Sequence, residues 1–224
     1  APSSVARSKM PDHALEIPGV LKQTMIFLTR DVRAKLHNRQ YLVINLLEAP
    51  LLAAILAILV RYHADDALHQ ADYVFRDNMN IPAYIFMGVV VALFMGLTVS
   101  AEEIIRDRKI LKREAFLNLS RGSYLGSKLL ILMALSAVQT LTFVSVGNAI
   151  LAIQGMWWPY WIVLFSVSYF ANVLGLNISS AFNSAVTIYI LIPILLIPQI
   201  LLSGVVVQFD QLNPTFAAKS RVPL

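Results

Sequence analysis

The chain has 224 residues, of which 58% are hydrophobic and only 14% are charged, and its formal net charge is +5; an ordinary soluble domain has about 25% charged residues. No Asp, Glu, Lys, Arg or His occurs from residue 129 to residue 209, and water-soluble folds do not leave so long a stretch uncharged. The composition therefore excludes a soluble domain and predicts an all-α polytopic membrane protein, whose excess positive charge belongs to cytoplasmic loops and not to a nucleic-acid-binding surface. The absence of cysteine excludes disulfides and thiolate metal sites.

The first 40 residues divide into a linker and a basic helix. Residues 1–19 are polar with three prolines and predict a linker from an upstream domain; the chain begins without Met, so we expect a longer polypeptide. Residues 20–40 predict an amphipathic elbow helix in the lipid headgroup layer. A surface helix of a soluble domain would show the same pattern, but here a membrane span follows directly. Apolar and basic positions interleave in this segment: Leu21, Met25, Leu28, Val32 and Leu36 with Lys22, Arg30, Arg33, Lys35 and Arg39.

Five further segments are apolar enough to cross a bilayer, which takes about 20 helical residues. They are residues 41–60, 82–100, 124–152, 158–178 and 185–207. Pro193 and Pro198 interrupt the fifth segment, which we therefore expect to be kinked. The predicted architecture is thus an elbow helix followed by a membrane bundle with five visible spans.

Two of these spans carry small residues at four-residue spacing. They are Gly88, Ala92, Gly96 and Ser100 in the second span, and Ala171, Gly175 and Ser179 in the fourth. Such stripes allow helix backbones to approach closely. We expect close packing of helices along them, with a flexible gating face as the alternative.

Basic residues in the short loops predict the orientation. Seven Lys or Arg precede the first span and seven lie between the second and third, including Lys128, whereas residues 61–80 hold two together with four Asp. The positive-inside rule then places the N-terminus and residues 100–128 in the cytoplasm. Trp157, Trp158 and Trp161 fall together at the outer end of the fourth span, which is typical of an interfacial aromatic belt.

Glu48 is the only ionisable side chain well inside a predicted span, close to Asn45 and Pro50. An intramembrane carboxylate is costly unless it is paired or faces water, so Glu48 is a candidate functional or hinge residue. The alternative is a carboxylate near the interface that is bonded to a basic residue of the elbow helix. The spans offer no Asp or His to accompany it, so we predict no catalytic residue, no metal site and no membrane enzyme.

Residues 100–128 (SAEEIIRDRKILKREAFLNLSRGSYLGSK) hold four acids and seven bases between two spans. Ile104, Leu111, Ala115 and Leu119 fall on one helical face, and the other faces carry the charges. A solvated loop is the alternative, but such loops rarely keep an apolar stripe. We therefore predict an amphipathic cytoplasmic helix that forms a docking surface for a soluble partner. The GSYLGSK sequence at 122–128 has three residues between its glycines and not the four of an ATP-binding loop, so we expect no ATPase in this chain.

This charged segment resembles part of a known transporter family. DRKILKRE at 107–114 is similar to the acid-Arg-x-apolar-apolar-x-basic-Glu signature that follows the second span in permease domains of the G subfamily (white-pigment-like) of ABC transporters and in their bacterial ABC-2 type relatives. GSYLGSKLL at 122–130 resembles the entry to the third span of that family, and residues 171–207 resemble its fourth and fifth spans. The resemblance covers residues 21–214 and is greatest to the bacterial fused type, in which ATPase and permease share one polypeptide.

The resemblance implies roles for particular residues. The helix at 101–115 would be the coupling helix that contacts a nucleotide-binding ATPase domain, through Glu102, Asp107, Arg108, Arg113 and Glu114 or the polar network that supports them. Met95, Ile197 and Ile200 fall where relatives line a substrate cavity. Val205 and Val206 stand in place of an outer gate that is often Leu-Leu, so the gate would be smaller here. A sixth span would follow an outer re-entrant segment, in which this sequence ends.

The function that the resemblance implies is the permease of an ATP-driven transporter, an exporter of lipidic or amphipathic molecules. Two half-transporters would pair, as a homodimer, in the inner or plasma membrane of a bacterium, and ATP and Mg²⁺ would bind to the associated nucleotide-binding domain. ATP binding would press the coupling helices together and tilt the spans from inward- to outward-open. The alternative is a membrane scaffold that transports nothing and binds a soluble partner through the same charged helix.

Overall fold

The computed structural model describes residues 18–61, 80–114 and 120–202, and within these ranges the regular structure is entirely α-helical. The predicted gate residues Val205 and Val206 lie outside the described residues. The helices, in chain order, are α1 (Val20–His37), α2 (Arg39–Val60), α3 (Ile81–Ala101), α4 (Glu103–Glu114), α5 (Arg121–Leu151), α6 (Trp157–Ala181) and α7 (Ala185–Leu202).

Four helical stretches are long and apolar enough to cross a membrane: α2, the stretch Ile81–Arg113 that contains α3 and α4, α5 and α6. The apolar part of the second stretch is α3, whereas α4 is charged at most positions, so we place α4 outside the membrane. The described part of the fifth apolar segment forms α7, with both of its prolines inside the helix, and the predicted residues 203–207 lie outside the described residues. The predicted class, an all-α polytopic membrane bundle, is confirmed.

Helix α3 packs most extensively against α6, along the two stripes of small residues. A methyl group added at Gly96 would lie 2.4 Å from the carbonyl oxygen of Ser168, and one added at Gly175 would lie 2.0 Å from Ser100 Oγ. The two backbones are therefore too close for larger side chains. Close packing, the first of the two expected roles of these stripes, is what the structure shows.

Helix α2 packs against α5 through a second set of small residues. Ala49, Ala53 and Ala57 are spaced by four and are fully buried. Hydrogen bonds add to this packing: Gln139 Nε2 of α5 donates to the Asn45 carbonyl oxygen of α2 at 3.0 Å. Because lipid tails are as apolar as the spans, helices in a membrane associate through such packing and hydrogen bonds.

The bundle has two chemically different ends. The start of α2, the end of α3, α4, the start of α5, the end of α6 and the start of α7 meet at what we call the charged end. At the opposite, aromatic end, Trp157 and Trp161 stack with ring centroids 6.3 Å apart.

Helix α1 lies along α5 at the charged end and contacts α2. Its protein-facing side chains include Gln23, Phe27 and Lys35, whereas the predicted apolar positions Leu21 and Met25 are 82% and 59% exposed. An apolar face turned away from the protein suits a helix that lies in the headgroup layer.

Candidate functional site

A cluster of buried ionic side chains joins three helices at the charged end. Glu103, the first residue of α4, is only 2% exposed and accepts hydrogen bonds from Lys35 of α1 and Lys128 of α5. One acid therefore connects α4 to both of these helices. We call Asp31, Lys35, Glu103, Asp107 and Lys128 the ionic cluster.

Lys128 lies at the centre of the ionic cluster. Its ammonium nitrogen is 3.0 Å from Asp31 Oδ2 and 2.8 Å from both Glu103 Oε2 and Asp107 Oδ2. An ammonium has three N–H donors, and three carboxylates are in place to accept them. Tyr124, one turn earlier on α5, donates its hydroxyl to Asp107 Oδ2 at 3.1 Å. This buried charge therefore has a complete set of partners.

The charges of this region balance. The three carboxylates of the cluster face Lys35, Lys128 and Arg106, a half-exposed side chain whose Nη2 lies 3.3 Å from Glu103 Oε1. Taking ions out of water costs much of what their attraction returns, whereas removing one partner leaves a buried charge uncompensated. We therefore interpret the cluster as a device that fixes the position of α4 relative to α1 and α5.

Glu103 is ionised in this environment. Burial alone would raise the pKa of this carboxyl, but the ammonium groups of Lys35 and Lys128 outweigh that effect and hold the pKa below its ordinary value of 4.5. The carboxylate therefore carries its charge at neutral pH, as the ion pairs with both lysines require.

The start of α4 is capped by a side chain of α6. Ser179 is fully buried, and its Oγ lies 3.2 Å from the backbone nitrogen of Ile104 and 3.3 Å from that of Ile105. The first amides of a helix have no partner within the helix itself. Ser179 thus accepts hydrogen bonds that α4 cannot make alone, and it fixes the start of α4 to the charged end of α6.

The end of α6 is capped in turn by a side chain of α4. Arg108 Nη2 donates to the carbonyl oxygens of Ser180 and Phe182, at 3.1 and 3.0 Å, and Nη1 donates to Asn183 Oδ1. The last carbonyls of a helix are the other groups that it cannot satisfy internally. Each of the two helices therefore supplies hydrogen bonds to terminal backbone groups of the other.

The five predicted coupling residues lie in different environments. Glu102 is in the turn between α3 and α4, Asp107 belongs to the ionic cluster, and Arg108 caps α6. Arg113 is exposed, and Glu114 is the last residue of α4, with a side chain outside the described part of the structure. Their contact with an ATPase domain stays a prediction.

Sequence interpretation missed most of the ionic cluster. Asp31 and Glu103 were not singled out, and Lys35, assigned to a basic surface, is 9% exposed. One signal was available for Lys128, which lies about one turn inside the predicted span 124–152: a lysine in an apolar segment needs an acidic partner. That partner could have been sought among the acids of residues 100–114.

A cavity of about 420 Å³ lies next to the ionic cluster, between the first turns of α2, the end of α3, the start of α4 and α7. Its polar lining includes Asn45, Glu48, Thr98, Glu102 and Tyr189. Within the described ranges Glu48 has no ion-pair or hydrogen-bond partner, so the alternative bond to a basic residue of the elbow helix is not formed there.

The family follows from comparison with protein-family models. Residues 22–220, nearly the whole chain, match the model described as ABC-2 type transporter. The chain belongs to the ABC-2 type transporter family. No curated protein and no solved structure matches it.

As an ABC-2 type membrane domain, the chain is the permease of an ABC-type transporter, a multi-pass membrane protein that is a transport component and not itself a catalyst. Permeases of this family work in general with a nucleotide-binding ATPase partner. The amphipathic charged helix that the sequence predicts between the second and third spans corresponds to α4 of this permease.

The predicted cavity residues of the ABC-2 permease fall in two environments. Met95 is fully buried in the core formed by α2, α3, α5 and α6. On α7, Ile197 is 55% exposed, and Ile200 packs partly against the cluster that contains Leu196. Met95 can line a cavity only if α3 separates from its neighbours, whereas Ile197 already lies on a free surface of this single copy. A substrate role for the three residues stays a prediction.

Proposed function

We propose that this permease exports lipidic or amphipathic substrates and is driven by ATP hydrolysis on a nucleotide-binding domain that contacts α4. In this proposal the transporter is of the G-subfamily type, with the ATPase fused upstream and binding ATP and Mg²⁺. Two half-transporters pair as a homodimer in a bacterial inner membrane. The family membership and the resemblance of residues 107–114 and 122–130 support this assignment.

The observation that carries the proposal is the attachment of α4 to three other helices. The ionic cluster connects α4 to α1 and α5, and the contacts of Ser179 and Arg108 connect it to α6. A force applied to α4 is therefore passed to the elbow helix and to two spans together. A charged loop without these contacts would move under the same force without displacing the spans.

The free side of α4 suits an acidic partner surface. Lys109, Ile110, Lys112 and Arg113 are exposed, which gives this side three basic residues around one apolar residue. Complementary charge steers association and fixes the register of an interface more than it adds affinity. We therefore expect acidic side chains on the facing surface of the nucleotide-binding domain.

The charged end faces the cytoplasm in this proposal. Seven Lys or Arg precede the first span and seven follow the second, and the tryptophans lie at the other end of the bundle. This orientation presents α4 to the compartment in which ATP is available.

Charge reversal at Arg113 tests the docking role. Arg113 is exposed, so Arg113→Glu changes the proposed interface without removing a contact of the ionic cluster. In proteoliposomes of the complete transporter, we expect it to lower ATP-dependent accumulation of a pyrene-labelled lysophospholipid about tenfold, because a like charge at an interface is repelled. The basal ATPase rate should change less than transport does.

Lys22→Glu is the matched control, since it reverses an exposed charge on α1. If the two variants transport and hydrolyse equally well, α4 is not the docking helix. If the wild-type transporter hydrolyses ATP and moves no amphipathic probe, the export proposal fails and a scaffold role is favoured.

A further inference from the structure

The cavity at the charged end contains a carboxylate that no described residue pairs. Glu48 is half-buried on α2 and lines the cavity, and it forms neither an ion pair nor a hydrogen bond within the described ranges. A carboxylate at membrane depth is unfavourable unless it is paired or hydrated. A partner can reach Glu48 through the cavity.

Two more polar groups that line the cavity have no hydrogen-bond partner among the described residues. Asn45 is only 7% exposed; its Nδ2 donates to the Tyr41 carbonyl oxygen at 2.8 Å, whereas its Oδ1 accepts no hydrogen bond from the described residues. The hydroxyl of Tyr41 is buried and also has no described partner. Positions 41, 45 and 48 share one face of α2 because they are four and three residues apart. This face therefore presents three polar groups whose oxygen atoms can accept hydrogen bonds.

The remaining charges make the cavity negative. Glu103 is neutralised by the ionic cluster and by Arg106, which also lines the cavity. Glu102 lies beside the hydroxyl of Tyr189, and in the described part of the chain it has no ion pair. Among the described residues, Glu48 and Glu102 thus have no cationic partner. A ligand whose charge complements this cavity is therefore a cation.

The size and lining of the cavity indicate what kind of cation fits. Its volume of about 420 Å³ is in the range of sites for small organic ligands. Ile44 and Val99 contribute apolar surface to the lining. The described residues contain no group of three or more His, Asp or Glu that could hold a metal ion, so an organic cation with an apolar part is favoured.

We propose that this cavity binds the primary ammonium group of an amphipathic amine. Glu48 forms the ion pair, and Asn45 Oδ1 and the Tyr41 hydroxyl oxygen accept the other two N–H groups. An ammonium has three donors, which matches these three acceptors. The hydrocarbon tail lies against Ile44 and Val99. That the bound amine is also cargo rests on the proposed function, whereas its binding does not.

Equilibrium binding of tritiated dodecylamine tests the site. The full chain is placed in nanodiscs of phosphatidylcholine and phosphatidylglycerol, which contain no primary amine, and nucleotide is left out. We expect saturable binding above that of empty nanodiscs. Dodecanol should not compete, and dodecyltrimethylammonium, which has no N–H donor, should compete weakly. Glu48→Gln should weaken binding about tenfold, because it removes the charged acceptor and keeps the shape.

Two further variants keep the test interpretable. Tyr41→Phe removes a hydroxyl that bonds to no described residue, so we expect it to fold normally and to bind about threefold more weakly. Lys22→Gln removes an exposed charge from α1 at a described position that does not line the cavity, and it should bind like the wild type. Equal binding by wild type and Glu48→Gln, or equal competition by dodecanol, overturns the proposal.

Two sources of the ammonium group can be separated in the same assay. Displacement of dodecylamine by phosphatidylethanolamine identifies a lipid headgroup, and resistance to displacement identifies a single-chain amine; both leave Glu48 as the ammonium site. Because nucleotide is absent, a failure of ATP coupling cannot change the result. An intact amine site without ATP-driven transport contradicts only the proposed function, and ATP-driven transport by a protein that shows no saturable binding of dodecylamine contradicts only this inference.

Discussion

The ionic cluster and the contact between α3 and α6 hold helices together in opposite ways. In the cluster, five charged side chains from α1, α4 and α5 are joined by ion pairs at a place where α4 leaves the membrane. In the α3–α6 contact, small side chains let two backbones meet so closely that a methyl group at Gly96 would lie 2.4 Å from a carbonyl oxygen.

The difference follows from the surroundings of each region. Between spans, helices gain stability from close approach and hydrogen bonds, because lipid gives no hydrophobic drive for association. At the membrane surface, charges can select a single geometry for α4. The cluster should therefore be sensitive to changes of charge at constant volume, and the α3–α6 contact to changes of volume at constant charge.

The largest effect is expected for Glu103→Gln, which keeps the shape and removes the charge. Lys35 and Lys128 are buried against this carboxylate, so the substitution leaves positive charge uncompensated. We expect a loss of about 3 kcal/mol in the free energy of unfolding, the lower end of the range for breaking a buried ion pair, because Asp31 and Asp107 still face Lys128. Chemical unfolding in detergent measures it.

Glu102→Gln is the control for this prediction, since it makes the same change at the adjacent residue, outside the ionic cluster. It should alter stability by about 0.5 kcal/mol or less. An equal loss of unfolding free energy in the two variants would mean that the ion pairs of Glu103 do not stabilise the fold.

The pH dependence of stability gives a second measure of Glu103. Its pKa is held below the ordinary value of 4.5 in the folded protein, so its ionised form contributes stability above that pH and loses it as pH falls through the folded pKa. The difference in melting temperature between wild type and Glu103→Gln should therefore be full at neutral pH and shrink as the pH falls below 4.5, through the lowered pKa of Glu103. A difference that stays constant into acid would contradict the lowered pKa.

A smaller effect is expected for Gly96→Ala in the α3–α6 contact. The added methyl group would lie 2.4 Å from the Ser168 carbonyl oxygen and 2.7 Å from Ala171 Cβ, so the helices must move apart. Overpacking of this kind costs about 2 kcal/mol. The melting temperature in detergent should fall accordingly.

Gly126→Ala in α5 is the matched control, because a methyl group there meets nothing within 4 Å. Removing a glycine from a helix stabilises it by about 0.5–1 kcal/mol, so this variant should be unchanged or slightly more stable. A loss as large as that of Gly96→Ala would show that the effect is not specific to the α3–α6 contact.

Most of the fold was predictable because a membrane limits the choices. Apolar length and the absence of charge locate the spans, and the four-residue spacing of Gly96 and Ser100, and of Gly175 and Ser179, indicated the close packing that the structure shows. The fifth apolar segment begins at Ala185 as predicted, and its predicted end at residue 207 lies outside the described residues.

The candidate site was less predictable because it depends on pairing between distant segments. Asp31 and Lys128 are 97 residues apart in sequence, and neither periodicity nor loop charge indicates that they meet. Arg108 was predicted as a coupling residue from the resemblance of its charged segment to a transporter family, whereas its contacts with the end of α6 require the fold. Charge composition marks a surface, but only the arrangement of helices decides which charges are buried.

The smallest effect is expected for Ser179→Ala, which separates the capping contact from both the ionic cluster and the α3–α6 packing. The change removes the oxygen that accepts hydrogen bonds from the amides of Ile104 and Ile105, and loss of a helix cap costs about 1 kcal/mol. Because the loss is local, hydrogen exchange at these two amides should accelerate about fivefold while the middle of α6 stays protected. Ser180→Ala is the control, since its exposed hydroxyl donates to the Asn177 carbonyl oxygen of the same helix and, among the described residues, to nothing in α4. Equal protection of the two amides in both variants would mean that the Ser179 hydroxyl takes no part in holding the first turn of α4.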